Sequence, residues 1–206
     1  LGKDGFTRMI RNMRRLHGIT VNKYPDPPYF IMGHSMGSFL VQRYIALYGD
    51  ELEGAVLSGS NGRQGFLLNI GIFLAWLISL IRGRKHRSRL INTLTFGAYN
   101  KEFKPTRTEF DWLSRDPEQV DKYVNDPFCG VLFTAGFFHD FFRFLKKVQT
   151  LGNLNKIPRD LPLYIYSGDK DPVGEKGKGV SRLAETYRTI GMKDVQFILY
   201  PGARHE

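Results

Sequence analysis

The stretch FIMGHSMGS, residues 30–38, decides how this chain is read: an apolar, strand-like run stops abruptly at Gly-His-Ser-Met-Gly. A serine between two glycines, each two residues away, fits a tight strand-to-helix turn that lifts the Ser35 hydroxyl out of the fold. Strained backbone dihedrals at such an apex expose the oxygen. Both Gly33 and Gly37 are expected to be glycine because side chains there would collide with the neighbouring strand and helix. Phe39, Leu40, Tyr44 and Leu47 mark the helix that follows, ending near Gly49. Its first N–H groups would face the serine and stabilise negative charge beside it.

A Gly-x-Ser-x-Gly pattern alone carries no activity, because glycine and serine are common residues. Serine is a poor nucleophile at neutral pH and needs a base, which in turn needs an orienting acid. In a strand–turn–helix setting the acid and the histidine follow the serine in that order, on loops after later strands. The strand-like LPLYIYSG (161–168) is followed by Asp169 and Asp171, either of which could serve. The strand-like VQFILYPG (195–202) is followed by His205. Carboxyl ends of strands are where an open parallel sheet gathers its reactive groups.

The rest of the pattern agrees with such a sheet. Residues 4–16 have Phe6, Met9, Ile10, Met13 and Leu16 at helical spacing, and YPDPP (24–28) then breaks the chain. GAVLSG (54–59) reads as a second buried strand. Val180, Leu183, Ala184, Tyr187 and Ile190 form a helical face that stops at Gly191. Strands alternating with helices predict an α/β fold with a parallel sheet. Residues 61–150 break the rhythm. They are aromatic and helical in pattern, with FLLNIGIFLAWLISLI (66–81) and a stretch from Val131 to Val148 whose Phe133, Phe137, Phe141, Phe144 and Val148 share a face. This segment reads as a helical cap inserted over the sheet edge. The 66–81 stretch is short for a membrane span and is interrupted by Asn69, Gly71 and Ser79.

Together GHSMGS, SGDKDPVG and YPGARHE resemble the α/β-hydrolase superfamily, in its monoacylglycerol lipase, lysophospholipase and serine-aminopeptidase-type branch. The resemblance covers most of the chain. It implies an α/β-hydrolase fold: a mostly parallel sheet with helices on both faces, residues 1–60 and 151–206 forming the core and 61–150 the cap or lid. It implies Ser35 as nucleophile and His205 as general base. The branch's acid lies in a G-x-x-D pattern, which matches Gly168 and Asp171; Asp169 is then a turn or capping acid. The N–H of Met36, next to the nucleophile, would be one oxyanion donor. The second donor belongs to an early strand-to-helix loop often marked by His-Gly, and no such loop precedes Phe30. N-terminal strands are therefore expected to be absent from this chain, and the chain to be a piece of a longer protein.

Composition bounds the remainder. The 206 residues are 42% hydrophobic, enough for one sizeable core. The single cysteine, Cys129, excludes an internal disulfide, and no Cys/His spacing suggests zinc. No metal or organic cofactor is expected. The first residues carry charges throughout and lack a signal-peptide core, which points to a cytoplasmic protein. The net charge of +10 is concentrated around Arg82, Arg84, Lys85, Arg87 and Arg89. With no nucleic-acid motif beside it, this run reads as a solvated loop or as a peripheral contact with membrane lipid. Oligomeric state is not legible.

Three functions compete. The first is a serine hydrolase cleaving small acyl esters, of monoacylglycerol or lysophospholipid type. The second is an aminopeptidase, which needs an acid to grip a free amino terminus; Glu102, Glu109, Asp111 and Asp140 are candidates. The third is a non-catalytic lipid-binding module, which has no need of three reactive groups. The other histidines read as structural: His34 as polar support pointing away from the reactive groups, His17 as a cation ending the first helix, His86 in the basic loop, and His139, beside Asp140, on the surface.

Overall fold

The computed structural model describes Gly2 and residues 4–206. Helix α1 (Gly5–Lys23) leads to strand β1 (Phe30–His34), helix α2 (Met36–Tyr48) and strand β2 (Gly54–Ser58). Helices α3 (Leu67–Arg82), α4 (Arg89–Phe96), α5 (Pro117–Asn125), α6 (Ala135–Val148) and α7 (Leu151–Leu154) follow. Strand β3 (Leu163–Gly168), helix α8 (Lys178–Thr189) and strand β4 (Val195–Tyr200) close the chain.

Among the described residues the four strands form one sheet in the order β1-β2-β3-β4. Every neighbouring pair is parallel, with Gly33 beside Leu57 and Ile165 beside Phe197. Parallel pairing puts all carboxyl ends on one rim, so the loops after β1, β3 and β4 meet there. This is the parallel α/β-hydrolase sheet expected from the motifs, except that among the described residues helices cover one of its faces and not both.

One sheet face is packed. Helix α2 lies on β1 and β2, and α8 on β3 and β4. Leu57, Leu163 and Ile165 from the strands meet Tyr44, Ile45, Leu183 and Tyr187 from the helices, all fully buried. Each such aliphatic side chain contributes roughly 1.5–3 kcal/mol by leaving water. The period-2 alternation puts Phe30, Met32, Ile198 and Tyr200 on the other face, where they are exposed.

Helix α1 runs further than its apolar spacing predicted. It continues through Ile19 and Val21, both exposed, and stops ahead of Pro25, which disfavours helical backbone in the residue before it. His17 is therefore inside the helix rather than at its end. Its side chain is buried, with Nδ1 2.8 Å from the Tyr44 hydroxyl and 3.2 Å from the Arg14 guanidinium. Burial, and then the Arg14 charge, lower its pKa from 6.5. A histidine kept neutral in the fold binds its proton more readily when unfolded. Stability is thus full above about pH 6.5 and falls as pH drops through the depressed folded value. His17→Gln is expected to flatten that acid limb in melting temperatures measured from neutral to mildly acid pH.

The segment between β2 and β3 leaves the carboxyl end of β2. Helices α3 and α6 pack on each other, and α6 also touches α1 and α2. The faces of α6 are divided: Phe138, Phe142, Leu145 and Val148 are buried, whereas Phe137 and Phe141 are half-buried. Phe6 of α1 stacks on Phe144 and Phe141 with ring centroids 4.9 and 5.5 Å away. Ser88 and Thr134 cap α4 and α6 by accepting from the N–H groups of Ile91 and Phe137.

Candidate active site

Ser35 sits between β1 and α2 with φ 52° and ψ −120°, a conformation that favours glycine and strains any other residue. Its N–H donates to Ser58 O of β2 at 3.0 Å, and its carbonyl accepts from the N–H of Ser38 at 2.9 Å and the Ser38 hydroxyl at 2.6 Å. Gly33 is required because the chain doubles back on itself: a Cβ there would lie 2.4 Å from Gly37 O. Gly37 differs from expectation. A Cβ on it meets nothing within 4 Å, because it faces away from β1 in the first turn of α2. Only one of the two glycines is explained by collision.

A buried polar network, which the sequence pattern did not disclose, holds the turn. With the Ser38 proton on the Ser35 carbonyl, the Ser60 hydroxyl donates to Ser38 Oγ at 2.7 Å, and Ser60 Oγ accepts from Gln42 Nε2 at 2.8 Å. Gln149 Nε2 then donates to Gln42 Oε1 at 2.5 Å. Ser38, Gln42 and Ser60 are completely buried, so each bond offsets a desolvation cost that an unpaired group would leave standing. The signal was present as polar residues on the helix face that also carries Tyr44 and Ile45.

After β3, Asp169 and Asp171 separate clearly. Asp171 is completely buried. Its Oδ1 accepts from Val173 N–H at 2.8 Å, and its Oδ2 accepts from the Ser167 hydroxyl at 2.9 Å. The same Oδ2 lies 2.9 Å from His205 Nδ1. Asp169 instead accepts from Gly202 N–H at 2.9 Å and shapes the turn after β4. An Asp171 carboxylate on Nδ1–H leaves Nε2 of His205 as the nitrogen free to exchange a proton. The structure thus joins Asp171 to His205 directly and brings Ser35, Met36 and His205 to the wall of one cavity. Among the described residues the Ser35 hydroxyl makes no hydrogen bond.

His34 corrects a second expectation. It does not point away: its ring centroid is 4.8 Å from that of His205, because β1 alternation puts it on the same rim. Its Nδ1 lies 3.0 Å from Ser58 Oγ, and its Nε2 lies 3.7 Å from a Glu206 carboxylate oxygen. The neighbouring His34 imidazole, against the opposing effect of burial, holds the Glu206 carboxyl below its usual range.

The cavity encloses about 1070 Å³. Its walls are largely apolar, with Phe133, Phe137 and Phe141 from the 61–150 segment opposite Phe39 of α2. Trp112 stands 5.3 Å from His205, ring to ring, and Tyr99 packs edge-on against Trp112. Burial, reinforced by the charges of Asp171 and Glu175, pushes the Tyr99 hydroxyl up to about 12, so it stays a neutral donor on the cavity wall. Neither Tyr99 nor Trp112 carried a sequence motif. Of the four acids considered for an amino-terminus grip, Glu109 lines the cavity. Glu102 pairs with Lys176, Asp140 pairs with Arg84, and Asp111 accepts from Thr108 and Arg107. Among the described residues no group of three His, Cys, Asp or Glu side chains is placed to hold a metal ion.

The loop bearing His205 is clamped from the middle segment. The Arg204 guanidinium donates to the carbonyls of Asp111 and Ser114 and lies 4.2 Å from the Phe103 ring centroid. Glu206 N–H donates to Leu113 O at 2.7 Å. On the other side the loop presses on Gly168, where a Cβ would meet Ala203 O at 2.1 Å. Arg204→Met removes two charge-assisted bonds and the ring contact. It is expected to lower kcat roughly 100-fold, as a displacement of about 1 Å does for a reacting group. Near-normal kcat in a folded variant would show that the clamp does not place His205.

The family described as serine aminopeptidase, S33 matches residues 2–206. A monoacylglycerol lipase of Mycolicibacterium smegmatis is 29% identical over 97% of this chain. The chain spans 63% of that relative's length. Among solved structures, a highly thermostable carboxyl esterase from Bacillus coagulans, in complex with glycerol, superposes with a TM-score of 0.90 at 29% identity. That match covers 100% of this chain and 66% of the esterase. A soluble variant of monoglyceride lipase from Saccharomyces cerevisiae, with a substrate analogue, gives a TM-score of 0.65 at 20% identity, with 98% and 61% covered. This last likeness speaks to fold alone.

Proposed function

The chain belongs to the α/β-hydrolases of the serine aminopeptidase, S33 family, and from that membership we propose that it is a serine hydrolase cleaving carboxylic esters through an acyl-enzyme. The observation that carries the reading is the buried Asp171–His205 pair, whose histidine lines the same cavity as the strained Ser35. In this reading His205 Nε2 takes the Ser35 proton as Oγ attacks the ester carbonyl. Asp171 stabilises the imidazolium, and the Met36 N–H at the start of α2 holds the developing oxyanion. Collapse expels the alcohol, which leaves with the proton from His205. A water molecule then gives its proton to His205, attacks the acyl carbonyl and releases the acid, restoring Ser35.

The segment 61–150 serves as the cap of this site. Its phenylalanines give the cavity a long apolar wall, which suits a single acyl chain better than a peptide. A monoacylglycerol or lysophospholipid-like ester is the proposed substrate class, and the names of the mycobacterial lipase and the glycerol-bound esterase support it. A second reading, as an aminopeptidase, draws on Glu109, whose exposed carboxylate lines the cavity. Parallel assays on monoacylglycerols of graded chain length and on aminoacyl p-nitroanilides separate the two. Ester turnover that rises with chain length and negligible amide turnover is the expected outcome. The reverse order would overturn the ester assignment.

A further inference from the structure

We propose that the outer face of α3, with the basic connection to α4, docks on an anionic phospholipid surface. Helix α3 is apolar on both sides. Its inner side, with Leu68, Ile72, Ala75 and Ile78, packs into the fold, and Ala75 is completely buried. Its outer side leaves Phe73 59%, Leu80 67% and Ile81 71% exposed, with Ile70 and Trp76 also uncovered. Phe66 and Leu67 extend this stripe at the start of the helix at 76% and 80% exposure, and Leu90 and Leu94 continue it onto α4. A contiguous run of large side chains in water is costly and marks a contact surface.

Charge identifies the occupant. From Gly54 to Lys101 the chain has no aspartate or glutamate, while Arg63, Arg82, Arg84, Lys85, Arg87, Arg89 and Lys101 are all basic. Arg84 is committed to Asp140. Arg82, Lys85, Arg87 and Arg89 are exposed and make no ion pair among the described residues. Exposed aliphatic and aromatic side chains flanking an unpaired basic cluster match a layer with an apolar interior and negative headgroups. The helix lies on such a layer and does not cross it: no helix among the described residues is long and apolar enough to span a membrane.

The position also has a use. Leu68, on the inner side of α3, lines the cavity of Ser35. A lipid layer against the outer side therefore lies one helix away from the site. The proposal builds on the acyl-ester reading in this respect, since a single-chain ester is supplied from a bilayer, but its test does not depend on that reading.

The test is flotation of the protein with vesicles of phosphatidylcholine, with and without phosphatidylglycerol, at low and high salt. Binding to the anionic vesicles that weakens with salt is expected. The paired substitution Phe73→Asp and Leu80→Asp should lower partitioning at least tenfold, and Lys85→Glu with Arg87→Glu should do so only for anionic vesicles. None of these four residues lines the cavity, so hydrolysis of a short soluble ester should be unchanged in both variants. Absence of binding to anionic vesicles would overturn the proposal, as would binding that neither variant weakens. Concentration-dependent self-association abolished by Phe73→Asp and Leu80→Asp, without vesicle binding, would reassign the face to a second copy of the chain. Vesicle binding without ester turnover would remove the enzymatic reading and leave the docking surface standing.

Discussion

Ser35→Ala is expected to reduce turnover of p-nitrophenyl acyl esters by at least about 10⁴-fold and to abolish labelling by a fluorophosphonate probe. The magnitude follows from what the hydroxyl alone supplies. Met36 N–H, the cavity and His205 all remain, yet no covalent intermediate can form. Ser35 Oγ makes no hydrogen bond among the described residues, and the backbone contacts to Ser58 and Ser38 do not involve the side chain. Removing it should leave the melting temperature unchanged. Activity near that of the wild type would eliminate Ser35 as the nucleophile, whatever the cavity binds.

Asp171→Asn comes next in size, with kcat falling by about 10⁴-fold through misplacement of the histidine proton. The substitution is nearly isosteric. With its amide oxygen in the Oδ1 position it still accepts from Val173 N–H, while the amide NH2 takes the Oδ2 position, donates to Ser167 Oγ and replaces the negative charge that faces His205 Nδ1. Asp169→Asn is the internal comparison, because an amide oxygen can equally accept from Gly202 N–H. That variant should retain most of its activity. Comparable losses in the two would mean that the acid has been assigned to the wrong aspartate. Steady-state kinetics on one soluble ester, with circular dichroism to verify folding, decides between these outcomes.

How much of this was legible beforehand depends on whether a residue's role is local. The turn at Ser35 is written in nine consecutive residues, and each strand announces itself by an apolar run ending in glycine. The parallel order β1-β2-β3-β4 follows from alternation of those runs with helices. The pairing of Asp171 with His205 was within reach because each lies a few residues beyond the carboxyl end of a strand. Roles set by distant partners were not. His17 looked like a helix terminus because apolar spacing fades after Leu16, yet Tyr44, 27 residues away, claims its ring. The pattern around His34 suggests polar support pointing away from the reactive groups, and only β1 alternation together with the path of the loop after β4 brings it to His205. Ser38, Gln42 and Ser60 are ordinary polar residues until folding buries them around one another. Arg204 was one more basic residue in a basic chain, although its carbonyl partners lie 90 and 93 positions earlier.

The positive φ of Ser35 carries a consequence for the protein as a whole. A side chain held at 52° sacrifices roughly 1 kcal/mol that glycine would recover. Ser35→Gly should therefore be dead in the assay and melt at a higher temperature than its parent. The wild-type protein's reactivity and its heat resistance are set against each other at a single peptide unit. Selection for thermal endurance alone would erase the proposed nucleophile.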